Sequence, residues 1–223
     1  MKLSIVMPVL DEALTLSATL AALAPLRARG HRLIVVDGDS RDGSLALAAA
    51  ACDEALAAPR GRATQMNAGA ARADGEVLMF LHADTRLPDR ADEAVLQAVA
   101  DGADWGRFDV RIEARSPLLR VVAGLMNLRS RLTGIATGDQ AIFVRRDLFQ
   151  RLGGFADQPL MEDIELSRRL RALSRPACLR AHVCTSGRRW ERGGVWRTIV
   201  LMWRLRWRYW RGVAPEVLVR DYR

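Results

Sequence analysis

Short apolar segments alternate with longer helical patterns over the first 85 residues of the chain. The apolar segments are rich in Val, Ile and Leu on both faces, which is typical of central strands in a parallel sheet covered by helices. This alternation predicts a right-handed, doubly wound α/β start. The predicted strands are Leu3–Val9, Leu33–Asp37 and Glu76–Leu81, and the predicted helices are Ala13–Ala28, Ser44–Ala51 and Arg62–Arg72.

The second half of the chain continues the pattern less regularly. The predicted helices are Asp89–Val99, Pro117–Leu132 and Glu162–Leu173, and the predicted strands are Trp105–Ile112 and Gln140–Arg145. The 223 residues, half of them apolar, suffice for one sizeable core, and they include no internal repeat or Pro/Ser-rich linker. We therefore expect a single domain over residues 1–223, with a mainly parallel central sheet flanked by helices.

Targeting signals and cysteine patterns add little. The chain has no run of 18 apolar residues, and it begins with a strand-like KLSIVMPV where a signal peptide would have a charged and then an apolar region. We therefore expect a cytoplasmic protein. The three cysteines lack CxxC spacing, which favours neither a disulfide framework nor a zinc site.

The net charge of +8 and the sequence pI of 10.7 invite a nucleic-acid interpretation. Lys2 is the only lysine, however, and alanine is abundant, so the arginines reflect coding bias as much as a binding face. Residues 186–211 hold eight arginines against one acid, Glu191, and also five of the six tryptophans. We therefore expect no nucleic-acid partner.

Acidic residues stand where the predicted strands end. Asp11 and Glu12 follow the first strand, Asp37 and Asp39 the second, and Asp84 the third. In an open parallel sheet, ligands bind outside the carboxyl ends of the strands. Clustered carboxylates repel one another unless a cation or several donors compensate them, as a divalent metal carrying a diphosphate would do. The alternative is that these acids only cap turns and helices.

Two common phosphate-binding motifs are missing. PVLDEA follows the first strand where GxGxxG would stand, and no GxxxxGK[ST] occurs. A dinucleotide oxidoreductase and a P-loop NTPase are therefore disfavoured. The phosphates of a nucleotide would instead be held by a metal at Asp84 and by arginine at the Gly61–Arg62 turn.

Six motifs, in order, resemble those of the inverting family 2 glycosyltransferases of the GT-A fold. They are SIVMPVLDEALTL, VVDGDSRDGS, GRATQMNAG, HAD, TGDQAIFVRR with GGF and LMEDIELSRRL, and SGRRW. HAD resembles the family's DxD metal motif, and SGRRW a shortened QxxRW. The pieces LHADT, TGDQAIF, LMEDIEL and RRWERGGVWRT are further similar to a bacterial subgroup that accompanies radical-SAM and selenium-associated genes and has been linked to arsenosugar synthesis.

The resemblance implies a GT-A fold with a donor-binding half over residues 1–88 and an acceptor half over residues 89–190. The composition of residues 191–223 predicts a basic, Trp-rich amphipathic helix there. The resemblance also implies an enzyme that moves one sugar from a UDP or GDP sugar to a hydroxyl acceptor, with Mg²⁺ or Mn²⁺ as cofactor. The acceptor would be a lipid or a small soluble molecule.

On the donor side, the resemblance implies nucleotide-sugar contacts at Glu12, Asp37, Arg62, Asn67, His82 and Asp84. Asp84 keeps the second acid of DxD and would bind the metal. His82 replaces the first acid, although a neutral imidazole can still coordinate or donate. The order Gly38-Asp39 reverses the family's Asp-Gly, so the base contact assigned to Asp37 could be shared.

On the acceptor side, the resemblance assigns the catalytic base to Asp163. This residue would open a helix, whose dipole favours negative charge, although two acids also favour a helix N-terminus without any catalytic role. The other acceptor-side residues implied are Gly138, Asp139, Glu162, Arg189 and Trp190. Ser186 replaces the glutamine of QxxRW, which favours one sugar added per encounter.

An apolar stripe marks the C-terminal helix. Trp196, Val200, Trp203, Trp207 and Trp210 follow a three-to-four spacing that Gly212 and Pro215 should end. Tryptophan beside arginine fits a helix lying in the headgroup region of an anionic membrane, peripheral on the inner face of the membrane. A helix packed in the core or against a second subunit, as in a homodimer, is the alternative.

Two other classes of function stay open at this point. A nucleotidyltransferase on a related scaffold is disfavoured because the only lysine is Lys2. A non-catalytic basic module for membrane or nucleic acid predicts steeply salt-dependent binding. That interpretation leaves the acids at three strand ends unexplained.

Overall fold

The computed structural model describes residues 1–222, except for the side chains of Arg189 and Arg192. Its strands form one mixed sheet in the spatial order β3-β2-β1-β4-β7-β6-β8-β5. The strands are β1 (Leu3–Val9), β2 (Arg32–Asp37), β3 (Glu54–Ala57), β4 (Val77–Phe80), β5 (Thr85–Arg86), β6 (Trp105–Glu113), β7 (Phe143–Arg145) and β8 (Ala177–Ser186).

The N-terminal half of the sheet is parallel. β1 pairs with β2 on one side and β4 on the other, and β2 pairs with β3. Every residue of β1 and β4 is buried, as expected for strands covered on both faces. Because the strands are parallel, the carboxyl ends of β1, β2 and β4 lie at one edge of the sheet, and the acids that follow them meet there.

The C-terminal half makes the sheet mixed. β7 is antiparallel to both β4 and β6, β8 is parallel to β6, and β5 is antiparallel to β8. A register shift between Phe108 and Asp109 interrupts the β6–β8 ladder. The α/β architecture that the sequence predicts is confirmed, with the antiparallel β7 joining the two halves.

Helices cover both faces of the sheet. One core layer lies under α1, α2, α4 and α5, the other under α3, α6 and α7, and alternate residues of β1 such as Ile5 and Val6 point into the two layers. The helices are α1 (Ala13–Ala28), α2 (Ser44–Ala51), α3 (Arg62–Arg72), α4 (Ala91–Ala100), α5 (Leu118–Thr133), α6 (Arg146–Arg151), α7 (Glu162–Leu173), α8 (Arg188–Gly193), α9 (Val195–Trp210) and α10 (Pro215–Tyr222).

The helix predicted to carry Trp196 to Trp210 and to end at Gly212 is present as α9, but the tail over residues 191–223 is not a single helix. It forms α8, α9 and α10, because Gly194 and Gly212 take positive φ angles between them. Pro215 is the first residue of α10, a position that proline favours because its missing N–H has no partner inside a helix there. None of the helices in residues 1–222 is both long enough and apolar enough to cross a membrane.

The predicted strand Gln140–Arg145 is also shorter in the structure. Its first residue, Gln140, belongs to a 3₁₀ turn over Gly138–Gln140 that Thr137 caps. Phe143–Arg145 pair in the sheet as β7. The buried Gln140 side chain explains the difference, because its amide accepts from the Thr137 backbone and donates to Ser130 at 3.1 Å. A buried polar side chain that needs these partners favours the turn over a strand.

Candidate active site

The loops after β1 and β2 are tied together at the acidic edge of the sheet. The Asp11 N–H donates to Ser40 Oγ at 2.9 Å, and Asp11 Oδ1 accepts from the Arg41 N–H at 2.8 Å. Asp42 accepts from the Ala13 N–H and so caps α1 from the other loop. Asp11 and Asp42 therefore hold the two loops in place.

Asp37 lies at the end of β2 and is almost fully buried. Its Oδ2 accepts from the Ser40 N–H at 2.9 Å. Its Oδ1 is also buried but accepts no hydrogen bond from any group in the described part of the chain. A buried carboxylate oxygen without a donor is costly, and an N–H from a bound ligand would satisfy it.

Gln65 on α3 fixes the position of the strand ends. Its Nε2 donates to Val9 O at 2.9 Å and to Val36 O at 2.8 Å. A Cβ at Gly38 would lie 2.8 Å from Gln65 Oε1, which explains why glycine precedes Asp39. The sequence reasoning did not single out Gln65, since its role depends on two carbonyls that meet only in the folded sheet.

Arg62 begins α3 after Gly61, which has φ 150°. Desolvation acts to lower the pKa of Arg62, yet that pKa is raised because Tyr222, Glu162, Asp139 and Asp163 lie around the guanidinium and favour its charge. The structure therefore brings the predicted donor arginine to the acids of the acceptor half.

Asn67, one turn further along α3, binds protein backbone. Its Nδ2 donates to Phe155 O and its Oδ1 accepts from the Phe155 N–H, both at 2.9 Å. A Cβ at Gly154 would lie 2.6 Å from Asn67 Oδ1, so the glycine makes this contact possible. Asn67 positions the GGF loop in the structure, and its predicted contact with a nucleotide sugar stays a prediction.

His82 and Gly138 lie against each other. A Cβ added to Gly138 would come within 2.5 Å of His82 Nε2, so only glycine allows this approach. His82 Nδ1 lies 3.5 Å from Asp139 Oδ1. The structure thus places the residue that replaces the first acid of DxD directly beside the TGDQ segment.

Asp84 is partly buried just beyond β4. Desolvation raises its pKa, His82 opposes the rise, and the charges of Asp139 and Glu12 add to it. Glu12 Oε2 accepts from Arg188 Nη2 at 3.1 Å. Arg188, which the sequence reasoning passed over within SGRRW, therefore lies at the acidic edge.

The donor set suits a metal that substrate phosphates complete. In the part of the chain that the structure describes, no three His, Cys, Asp or Glu side chains are grouped to hold a metal on their own. Mg²⁺ in phosphate-transferring sites is commonly held by one or two carboxylates plus phosphate oxygens. Asp84, with its raised pKa beside Asp139 and Glu12, fits that smaller donor set.

Glu162 and Asp163 begin α7 after Met161, whose φ is 66°. Asp163 Oδ2 accepts from the Gly138 N–H at 2.8 Å, and its Oδ1 accepts from the Ile164 N–H at 2.7 Å. Burial raises the pKa of both acids above the usual range. A carboxylate with a raised pKa at the N-terminus of a helix is suited to accept a proton near neutral pH.

Arg129 on α5 is a third residue, after Gln65 and Arg188, that the sequence did not predict. Its Nε and Nη2 are buried and have no hydrogen-bond partner among the described residues. Burial lowers its pKa, and the charge of Asp163 opposes that shift. An arginine inside a helical pattern gives no signal of this position, since the interaction of Arg129 with Asp163 exists only in the folded chain.

The SGRRW residues reach the site unevenly. Trp190 is partly buried and packs against the core layer that contains Leu119 and Ala123. The side chain of Arg189 lies outside the described residues. The acceptor roles predicted for both stay predictions.

Comparisons with known proteins identify a family and a fold. The model of the family described as Glycosyl transferase family 2 matches residues 4–152, which is more than half of the chain. No curated protein matches the sequence.

Solved structures show the same fold. S. aureus TarS 1–349 in complex with UDP-GlcNAc is 16% identical, with a TM-score of 0.67 over 83% of this chain and 58% of that one. Mannosyltransferase PcManGT from Pyrobaculum calidifontis in complex with GDP-Man and Mn²⁺ is 20% identical, with a TM-score of 0.63 over 82% of this chain and 56% of that one. The chain therefore spans under two thirds of the length of each.

Proposed function

Because the chain belongs to glycosyl transferase family 2, we propose that it moves one sugar from a nucleotide-diphosphate sugar to a hydroxyl acceptor. The observation that carries the proposal is the acidic edge of the sheet. There Asp37 keeps a buried oxygen that has no donor among the described residues, and Asp84 has a raised pKa. Both features call for a ligand that brings N–H donors and positive charge together.

The donor would lie along the carboxyl ends of β1, β2 and β4. Asp37 Oδ1 would accept an N–H of the base, and both uracil and guanine carry one, so a UDP or a GDP sugar fits. Arg62 would bind the diphosphate through charge-assisted hydrogen bonds. UDP-GlcNAc and GDP-Man in the two similar structures support a donor of this class.

Asp84 would hold Mg²⁺ or Mn²⁺ between the protein and the diphosphate. When bound, such an ion stabilises the negative charge that grows on the departing diphosphate. The Mn²⁺ in the PcManGT complex supports this part of the proposal. His82, beside Gly138 and Asp139, would orient the sugar or the phosphate by hydrogen bonding.

Asp163 would be the base of an inverting transfer. It takes the proton of the acceptor hydroxyl while that oxygen forms a bond to the anomeric carbon. The bond from the anomeric carbon to the diphosphate oxygen breaks on the opposite side, and its electron pair leaves with the nucleoside diphosphate. The Gly138 and Ile164 N–H groups hold the carboxylate in place for this step.

The acceptor would be either a lipid hydroxyl or a small soluble alcohol. A lipid hydroxyl fits if the tail meets a membrane, and a small soluble alcohol fits the narrower resemblance to the subgroup linked to arsenosugar synthesis. In both cases we expect a single sugar to be transferred, because SGRRW lacks the glutamine of QxxRW.

A thermal-shift panel tests the donor site. UDP, GDP, CDP and their common sugars are each added with and without Mn²⁺ to wild type, to Asp84→Ala and to Asp101→Ala, an exposed acid after α4. At about a hundredfold excess over Kd, one nucleotide should raise the Tm by roughly 5–10 °C. The shift should need metal and vanish in Asp84→Ala alone, and no metal-dependent shift with any nucleotide would refute the proposal.

A further inference from the structure

A row of large apolar side chains on α9 faces solvent. Trp196, Val200, Trp203, Trp207 and Trp210, which we call the Trp stripe, are each between 57% and 76% exposed. Monomeric proteins rarely leave such a contiguous row uncovered without a partner. The position of the stripe on the helix therefore decides what that partner can be.

The other side of α9 is already occupied. Leu205 and Thr198 are buried, and Leu205 packs with Leu160 and Met161 and with Leu218 of α10. At 100° per residue, Leu205 lies opposite the centre of the Trp stripe. Because α9 is held by this opposite face, the stripe points away from the protein, and the core-packed alternative is wrong for the stripe.

Positive charge flanks the stripe. α9 contains Arg197, Arg204, Arg206 and Arg208 and no acid. Arg204 and Arg208 form ion pairs with Asp221 of α10, which neutralises part of the positive charge beside the stripe. Just beyond the helix, the guanidinium of Arg211 lies 5.2 Å from the centre of the Trp207 ring. The surface is apolar in the middle and basic at its border.

α5 carries a second exposed row with the same spacing. Val121, Leu125, Leu128 and Leu132 are between 52% and 78% exposed, and α5 also lacks acids. The segment before α5 is joined to α8, because the Arg115 N–H donates to Glu191 Oε1 at 3.0 Å.

The starts of α5 and α9 pack on the same core layer. Val122 of α5 and Val195 of α9 both contact that layer, as does Trp190 of α8. The two exposed rows are therefore carried by helices whose first turns contact one core layer. We propose that the Trp stripe, extended by the α5 row, docks on the surface of an anionic lipid bilayer.

Charge complementarity selects this occupant over a second copy of the chain. Two copies that paired through their Trp stripes would bring arginine borders together in a protein of net charge +8. An anionic bilayer offers phosphates to the arginines and an interfacial region to the tryptophan rings. Aromatic and basic residues on one amphipathic helix are the combination that binds this region.

Docking would also orient the enzyme. The buried face of α9 packs on Leu160 and Met161, which directly precede the acid pair Glu162 and Asp163. A bilayer against the Trp stripe would therefore lie one helix thickness from the acceptor side. The docking itself does not depend on the proposed transfer chemistry, because it needs neither nucleotide nor metal.

Vesicle flotation tests the inference. Wild type is mixed with vesicles of phosphatidylcholine alone or of phosphatidylcholine with phosphatidylglycerol. It should float with the anionic vesicles, and less so as salt rises. Trp196→Ser with Trp203→Ser should weaken flotation by at least about tenfold, since two large apolar surfaces are lost. Arg197→Gln should weaken it by about fivefold.

Matched variants separate the surface from general effects. Leu14→Ser removes a fully exposed leucine on α1, and Arg151→Gln removes an exposed arginine on α6, so both should float like wild type. Leu125→Ser with Leu128→Ser should weaken flotation, and unchanged flotation would remove α5 from the docking surface. Circular dichroism melts check that each variant is folded.

Two results would overturn the inference. One is a wild type that floats with neither kind of vesicle. The other is a dimer in light scattering that the Trp196→Ser, Trp203→Ser variant converts to a monomer, which would make the stripe a subunit interface. A metal-dependent nucleotide shift that persists in either case would leave the proposed transfer untouched.

Discussion

The carboxylate of Asp163 accepts a hydrogen bond from the backbone N–H of Gly138, 2.8 Å away. This bond joins the start of α7 to the 3₁₀ turn that lies against His82, the residue in the first position of the DxD-like motif. The proposed base and the proposed donor site are therefore held by one short chain of contacts, Asp163 to Gly138 to His82.

Asp163→Asn should abolish transfer while the protein keeps its nucleotide. A base of this kind contributes roughly 10²–10⁴-fold to turnover, and an amide cannot take the proton. We expect the rate of product formation, measured by chromatography, to fall by that factor. The thermal shift on nucleotide binding should be unchanged. Asp101→Asn should behave like wild type. Full activity of Asp163→Asn would place the base elsewhere.

The stability of the same variant relative to wild type should rise with pH. Burial raises the pKa of Asp163 in the folded chain, so ionisation costs folding free energy as pH rises through that pKa. The amide nitrogen of asparagine would face the Gly138 or the Ile164 N–H, which adds a cost that does not change with pH. Below the ordinary aspartate pKa of about 3.9 the acid is neutral in both states, and the pH-dependent gain of asparagine should be absent. Urea unfolding at neutral and acid pH measures the difference, and a pH-independent difference would contradict it.

Gly138→Ala should disturb His82. The added methyl group would lie 2.5 Å from the imidazole, which is mostly buried, so the ring must move. We expect a loss of about 1–3 kcal/mol in unfolding free energy and weaker nucleotide binding.

A double-mutant cycle identifies the clash. Combining Gly138→Ala with His82→Ala should restore most of the lost stability, since the space is then free. Gly124→Ala, on an exposed face of α5 with no neighbour within 4 Å, should be neutral or stabilising. Additive losses in the cycle would show that the ring is not the obstacle.

Asp92→Asn should destabilise the fold in a pH-dependent way. Desolvation acts to raise the pKa of Asp92, but hydrogen bonds from Arg29 and His31 lower it to about 2. The Leu3 N–H donates to His31 Nδ1, so Nε2 carries the hydrogen that Asp92 accepts. At pH values above the unfolded pKa, the depressed pKa corresponds to a contribution of about 2 kcal/mol to the free energy of unfolding. This contribution is lost as pH falls toward 2.

Urea unfolding from neutral to acid pH tests this ion pair. The wild type and Asp92→Asn curves should converge at the acid end. Glu93→Gln, which loses only an exposed pair with Arg90, should cost under about 1 kcal/mol at any pH. Equal costs for both variants would mean that burial does not strengthen the Asp92 contacts.

Arg129→Met should stabilise the fold and impair turnover. The change removes a buried guanidinium whose Nε and Nη2 have no partner among the described residues, a gain of about 1 kcal/mol or more. It also removes a positive charge that favours ionised Asp163, so the acid limb of the pH–activity profile should move to higher pH. Arg120→Met, on the exposed part of α5, should change neither property.

Much of the fold follows from local signals in the sequence. α1, α2, α3 and α7 have the predicted bounds, because glycine, proline and acidic residues mark their ends and apolar spacing marks their length. β3, β5 and β8 were not predicted. β3 and β5, with four and two residues, carry too short a period to distinguish a strand from a loop. β8 has ten residues but no regular alternation, since only Val183 and Thr185 in it are buried. α10 was not predicted because proline marks a helix end as well as a helix start, and Pro215 was interpreted as the end of the preceding helix.

The site divides in the same way. The acids at the strand ends were predicted because a parallel sheet brings its carboxyl ends together, whatever the details of packing. Gln65, Arg129 and Arg188 were missed because their roles depend on contacts with Val9, Asp163 and Glu12, which are distant in sequence. The sequence pattern predicts which strand ends lie together. The side chains that contact those strand ends are decided by the packing of the folded chain.

The insertion of β7 between β4 and β6 has a consequence for biosynthesis. A ribosome that has released only residues 1–88 presents β4 as a bare sheet edge, although all four of its residues are buried in the finished protein. That edge stays open until Phe143–Arg145 emerge and pair with it. The nascent chain therefore depends on a segment made about 60 residues later, and the donor half cannot be expected to survive as an independent fragment without aggregating.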